Sequence, residues 1–198
     1  MNDPGIDVHP IETVGEHATN SVFLTDVWVS DEYVVGDVNN GWVYICEALN
    51  YERFTFYTIA PLEQKFKELV ELVNSLSRDK VPLNQIPEIR KKIIYLASDV
   101  EKAKVLQRKV LSIAIQDQVP QTEAAIFKLF STKLHQRLAN TAMDILGPEG
   151  LFTKEYEQSH ANGKWEWSYR STLVDTIGAG TTEIQKNTIA KKSLKLPL

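Results

Sequence analysis

Apolar positions change their spacing once along this chain, and the change divides it into two kinds of structure. Near the start, Ile6-Asp7-Val8-His9 alternates apolar and polar residues before Pro10 interrupts, and Val22-Phe23-Leu24-Thr25-Asp26-Val27-Trp28-Val29 is rich in strand formers. Gly5, Gly15 and Gly36 punctuate this region as turns do. Two or three strands of this length do not stand alone in water. They read as the tail of a sheet domain, which predicts that the chain is a portion of a larger protein.

From Gly41 onward the period is that of a helix. Trp42, Ile45, Cys46, Leu49, Arg53 and Phe56 form one stripe, continued by Leu62, Phe66, Leu69, Val73 and Leu76. Pro61 falls inside the pattern and is expected to kink this helix without ending it. The stretch from Arg78 to Pro87 reads as a polar connection. A second helix carries Ile89, Ile93, Leu96, Val100 and Ala103, extended by Val110 and Ile113, and breaks at Gln118-Val119-Pro120. A third carries Ile126, Phe130, Leu134, Leu138, Ala142 and Ile145, and stops at Gly147-Pro148. The last runs from about Thr181 to Ser193 with Ile184, Ile189 and Leu194 apolar. Three long helices and one shorter one, joined by short loops, predict a mainly α fold: an antiparallel up-and-down four-helix bundle preceded by a short β remnant.

Composition narrows the function without choosing it. Hydrophobic residues at 43% and charged residues at 24% describe a folded chain, not a disordered one. A net charge of −4 gives no electrostatic case for nucleic acid or anionic membrane as a partner. No uninterrupted apolar span of about eighteen residues predicts a membrane helix. The single cysteine, Cys46, fits a reducing, cytoplasmic setting and reads as a small core residue ahead of a nucleophile. His9, His17, His135 and His160 are scattered without metal-ligand spacing, so no metal site is predicted.

Two short stretches carry candidate chemistry. Thr176-Ile177-Gly178-Ala179-Gly180-Thr181-Thr182-Glu183-Ile184-Gln185-Lys186 joins a Gly-x-Gly turn to a helix start. Glycine admits close backbone approach and positive φ, and the free N–H groups of a helix start suit an anionic or carbonyl ligand. On spacing alone this reads more readily as a plain loop and helix cap. It lacks the third glycine and the βαβ setting of a dinucleotide fingerprint. The second stretch is Asn50-Tyr51-Glu52-Arg53. Mid-helix Glu–Arg pairs mostly face solvent. Here Arg53 lies on the apolar stripe and the surroundings are dense in aromatics, so Glu52 is expected to be partly desolvated, as a general base requires. Trp165 and Trp167 read as core or interface anchors.

Taken together, these stretches and the layout between them resemble the acyl-CoA dehydrogenase family, over essentially the whole chain. The resemblance implies residues 1–38 as a remnant of the family's middle β-domain and residues 39–198 as its C-terminal four-helix-bundle domain. The family's signature before its last helix matches Ile177 to Lys186. Most members carry the catalytic glutamate immediately before the Gly-Thr pair; this chain has Ala179 there. Isovaleryl and long-chain types instead supply the carboxylate from the first bundle helix, just before an arginine, which is the position of Glu52. The implied activity is FAD-dependent α,β-dehydrogenation of an acyl-CoA thioester, with electrons passed to an electron-accepting flavoprotein. Glu52 is the implied base and the Ala179 backbone N–H the implied donor to the thioester oxygen. Asn50 and Arg53 are implied substrate contacts, and Gly180, Thr181, Thr182 and Glu183 implied FAD contacts.

The departures point elsewhere. Members commonly have an Arg-x-x-Phe-Gly sequence after the first bundle helix that reaches FAD across a dimer interface; Ser75-Leu76-Ser77-Arg78-Asp79-Lys80 shows none. A second such contact, usually Gln with a Gly-Gly pair, is here Asp144-Ile145-Leu146-Gly147-Pro148, with a negative charge facing an anionic cofactor. Such a subunit uses flavin at its own site and lends little to a neighbour's, as in family members that pair unlike subunits. A homo- or hetero-oligomer built through the bundle is therefore expected, with the isolated chain inactive and without FAD. The rival readings are a non-catalytic subunit or scaffold of a hetero-oligomeric acyl-CoA dehydrogenase, and a stand-alone helical interaction module.

Overall fold

The computed structural model describes residues 3–16, 19–55 and 58–197, and the side chains of residues 50, 51 and 53–55 also lie outside that description. The chain opens with an antiparallel hairpin of β1 (Ile6–Ile11) and β2 (Thr19–Leu24), in a register that pairs Ile6 with Leu24 and Ile11 with Thr19. Pro10 does not interrupt β1; it sits opposite Asn20. A two-stranded ribbon has only edges, and an edge tolerates the missing N–H. The second strand ends at Leu24, short of the expected Val29, and Trp28 beyond it is 93% exposed.

Six helices follow: α1 (Gly41–Thr55), α2 (Ile59–Ser75), α3 (Pro87–Ala114), α4 (Gln121–Leu146), α5 (Lys164–Asp175) and α6 (Thr182–Lys192). Pro61 neither kinks nor ends a long first helix. Thr58 is extended and caps a separate α2, which places Pro61 in its first turn, where the missing N–H has no intrahelical role. A two-residue ladder, β3 (Ser77–Arg78) with β4 (Val81–Pro82), occupies the expected polar connection and delivers a buried Leu83.

The mainly helical, antiparallel reading holds, with α4 at its centre. It packs against α1, α2, α3, α5 and α6, and α2 also packs on α3. Leu62, Leu69 and Val73 of α2, Leu96, Val100 and Ala103 of α3, and Leu134, Leu138 and Ala142 of α4 make the main core, joined by Trp165 from α5. Val110, Ala124 and Phe127 form a smaller cluster where α3 meets α4. The expected α1 stripe is different: Trp42 and Ile45 are exposed, and Cys46 is only half-buried. In α6, Ile184 and Leu194 are exposed and the buried residue is Gln185.

The most buried ion pair between the long helices centres on Asp99. Asp99 of α3, largely buried, receives Arg137 Nη1 of α4 at 2.6 Å and Lys102 Nζ at 2.9 Å. Burial pushes its carboxyl pKa up, but hydrogen bonds and charge from Lys102 and Arg137 outweigh that and hold it below the ordinary value. The stabilisation is therefore complete above about pH 4, where the unfolded carboxyl is ionised, and is lost as pH falls through the lower folded-state value. Asp99→Asn is expected to cost about 1–2 kcal/mol at neutral pH, a figure kept low because both cations reach solvent. Urea titrations at pH 7 and pH 3 check this: the gap between variant and parent narrows at the lower pH.

Candidate active site

The turn before α6 is built of left-handed backbone. Ala179 has φ +52° and Gly180 φ +93°. A side chain at Gly180 is excluded twice over, by that φ and because a Cβ would lie 2.6 Å from Gln185 Nε2. Ala179 has no such exemption, and an alanine held there costs on the order of 1 kcal/mol, a strain typical of functional turns. Thr181 caps α6, its Oγ1 accepting the Ile184 N–H at 3.3 Å, and the Thr182 N–H closes back onto the Thr176 carbonyl at 3.0 Å. Glu183 lies in the first turn of α6, where a carboxylate suits the positive end of the helix.

Two polar side chains that sequence pattern passed over hold this turn from inside. Lys128 of α4 and Gln185 of α6 are both fully buried. Lys128 Nζ donates to the Gly180 carbonyl at 2.7 Å, and Gln185 Nε2 donates to the carbonyls of Ala179 at 3.0 Å and Gly180 at 3.2 Å. Gln185 Oε1 is buried with no donor among the described residues, at a cost of about 1–3 kcal/mol. The only sequence signal was Lys128 itself, a lysine set in the apolar run Ala125-Ile126-Phe127-Lys128-Leu129-Phe130.

Glu52 stands on α1 and is half-buried. Both α1 and the turn rest on α4, the first by packing and the second through Lys128. The backbones of Asn50 and Arg53 belong to α1, and their side chains lie outside the described residues. The structure thus assembles Ala179, Gly180, Thr181, Thr182 and Glu183 into one feature and places the helix of Glu52 on the same support.

N–H groups with no acceptor among the described residues, on a turn that lets a ligand approach, suit carbonyl and anionic oxygens. The face around Asp144 and Arg78, expected to lend little to a neighbour's cofactor, has its polar side chains engaged within the chain. Asp144 Oδ2 pairs with Lys92 Nζ at 2.8 Å, and Arg78 Nη2 donates to the Ile145 carbonyl at 2.9 Å. Both side chains are committed within this chain, and the surface between them carries no Phe-Gly or Gly-Gly backbone for a pyrophosphate to approach. Among the described residues no cluster of His, Cys, Asp or Glu is placed to hold a metal, and no helix is long and apolar enough to cross a membrane.

Comparison with known proteins gives the same frame. The chain is 28% identical over its full 198 residues to the acyl-CoA dehydrogenase FadE34 of Mycobacterium tuberculosis, covering 26% of that protein. It is 27% identical to the acyl-CoA dehydrogenase IpdE1 of Mycolicibacterium smegmatis, covering 47% of it. The chain therefore spans between a quarter and a half of the length of these curated relatives. Among solved structures, the Tcur3481–Tcur3483 steroid ACAD superposes with a TM-score of 0.85 at 25% identity, over 98% of this chain and 50% of that one. The ChsE4–ChsE5 complex of Mycobacterium tuberculosis shares the fold, with a TM-score of 0.86 at 24% identity over 98% of this chain and 51% of that one. Residues 39–194 match the sequence model of the acyl-CoA dehydrogenase C-terminal domain, and the chain belongs to the acyl-CoA dehydrogenase family.

Proposed function

We propose that this chain forms the catalytic helical portion of an FAD-dependent acyl-CoA dehydrogenase that desaturates an acyl-CoA thioester between its α and β carbons. The observation that carries the reading is the left-handed turn at Ala179 and Gly180, with its N–H groups free for a ligand and its carbonyls held inside. Bound flavin supplies the acceptor for the β-hydrogen and its electron pair. Glu52 takes the α-proton, breaking the Cα–H bond as the double bond forms. Ala179 has lost the carboxylate of the commoner family position but keeps its N–H, which donates to the thioester oxygen as negative charge gathers there. Asn50 and Arg53 hold the acyl-CoA, and Gly180 through Glu183 lie against the flavin. An electron-accepting flavoprotein would be the partner such a reaction calls for, and the cytoplasm is the compartment that suits the lone Cys46.

Residues 1–38 belong in this reading to the middle β-domain, and residues 39–198 form the helical domain. The exposed Phe23, Leu24, Trp28 and Trp42 support that division, because apolar surface of this kind is normally covered by another unit. The committed Asp144 and Arg78 support assembly with an unlike subunit, a native partner that carries the contacts this chain lacks. Solved neighbours include a complex of two differently named proteins, ChsE4 and ChsE5, and a steroid ACAD. A steroid-derived acyl-CoA is accordingly the substrate class to assay first.

The full-length protein, co-purified with its native partner, tests this. Acyl-CoA is expected to bleach the oxidised-flavin absorbance anaerobically and to drive reduction of an artificial electron acceptor. A flavin that no steroid, branched or straight-chain acyl-CoA bleaches would leave the supporting-subunit reading in place.

A further inference from the structure

We propose that Lys128 and Gln185 are positioning residues, a buried clamp that fixes the carbonyls of Ala179 and Gly180 inward and so aims the N–H groups of this turn outward at the ligand. The inference rests on the dehydrogenase reading for the identity of that ligand, a thioester oxygen at the Ala179 N–H and the flavin at those of Gly180 and Thr181, but not for the clamp itself.

The geometry follows from the planarity of the peptide bond. In a trans peptide the N–H of one residue points opposite to the carbonyl of the residue before it. No peptide bond here is cis. Gln185 Nε2 takes the Ala179 carbonyl inward, so the Gly180 N–H points away from the bundle interior. Lys128 Nζ and Gln185 Nε2 both take the Gly180 carbonyl, so the Thr181 N–H points away as well. The Ala179 N–H belongs to the preceding peptide plane, which is hinged to this clamped one through Ala179 at φ +52°. None of these three N–H groups donates to a carbonyl or side chain among the described residues.

The clamp is more than packing for two reasons. Both hydrogens of the Gln185 amide are spent on the two turn carbonyls while its Oε1 stays buried with no donor among the described residues, so the turn orients the side chain. Lys128 adds a hydrogen bond of the short, strong kind at 2.7 Å to a carbonyl whose own peptide group presents an N–H on its far side. Polarisation through that peptide strengthens the outward donor. The two residues come from different helices, α4 and α6, so the turn is referenced to the centre of the bundle and not only to the helix it starts.

Lys128→Met and Gln185→Met, which keep side-chain length, and Lys128→Arg, which keeps a cation, are compared with wild type in the full-length assembled enzyme. One readout is amide hydrogen exchange of the peptide covering residues 176–186. The other is the pH midpoint at which a bound 3-oxoacyl-CoA becomes its enolate, whose negative charge is shared by the thioester oxygen. Both methionine variants are expected to exchange at least about tenfold faster across the turn, since the Thr182 and Ile184 bonds loosen with it. Their enolisation midpoint is expected to rise by about one pH unit, the equivalent of tenfold weaker enolate stabilisation. Lys128→Arg is expected to lie between wild type and Lys128→Met. Unchanged exchange in both methionine variants overturns the clamp, and so does a midpoint that stays put while exchange rises. If Lys128→Met does not fold, Gln185→Met and Lys128→Arg decide in the same way. If wild type itself binds no 3-oxoacyl-CoA, the dehydrogenase reading fails, while exchange still judges whether Lys128 and Gln185 hold the turn.

Discussion

Glu52→Gln in the full-length, assembled enzyme is expected to lower turnover by at least about a hundredfold, the scale of losing a positioned general base. Glutamine keeps the shape and hydrogen-bonding reach of the side chain and removes only its capacity to take a proton. Flavin content and acyl-CoA affinity are expected to change little, because Lys128 and Gln185, not Glu52, hold the carbonyls of the turn at Ala179 and Gly180. A fall in kcat and kcat/KM together is the pattern of an interaction made only in the transition state. Ala179→Glu in the Glu52→Gln background restores a carboxylate at the commoner family position, and partial rescue is the expected result. An undiminished rate in Glu52→Gln alone removes the assignment and favours a non-catalytic subunit.

The helices that bury a conventional apolar stripe were legible in the sequence. Leu62, Leu69 and Val73, and Leu96, Val100 and Ala103, recur at helical spacing and occupy the core. Misreadings arise where burial and hydrophobicity part company. The period-based reading passes over α5 because its buried face is Trp165, Ser168, Ser171 and Thr172. Hydroxyls can occupy such a face by bonding back to their own helix, as Thr172 Oγ1 does to the Ser168 carbonyl at 2.9 Å. The opposite error affects α1, whose Trp42 and Ile45 look like core positions and are exposed. Periodicity finds an apolar stripe but does not say which body covers it.

The candidate site divides along a similar line. Gly178 to Thr181 announced a turn, because glycine spacing and a helix start are visible in one dimension. Lys128 and Gln185 were not visible, because their partners are main-chain carbonyls fifty-two and five or six residues away, turned inward by a left-handed backbone that no residue pattern prints. A lysine and a glutamine in helices read as surface. Only the folded turn gives them acceptors, and only burial makes those acceptors obligatory.

Trp165→Ala in this chain is expected to cost about 3–5 kcal/mol, the range for deleting a large aromatic from a core. Trp165 is 2% exposed and enters the main cluster with residues of α2, α3 and α4, so it fastens α5 to the bundle. Its neighbours on the buried face of α5 are small hydroxyl residues that cannot close around the void. The effect is expected to spread toward the candidate site, since Thr176 at the end of α5 accepts the Thr182 N–H that closes the turn before α6. Leu173→Ala on the same helix removes a side chain that is 51% exposed and is expected to cost less than about 1 kcal/mol. Urea titrations followed by circular dichroism, which reads the helices and not the lost indole, separate the two. Equal costs for both variants would show that α5 is held by its hydroxyl face, with the tryptophan dispensable.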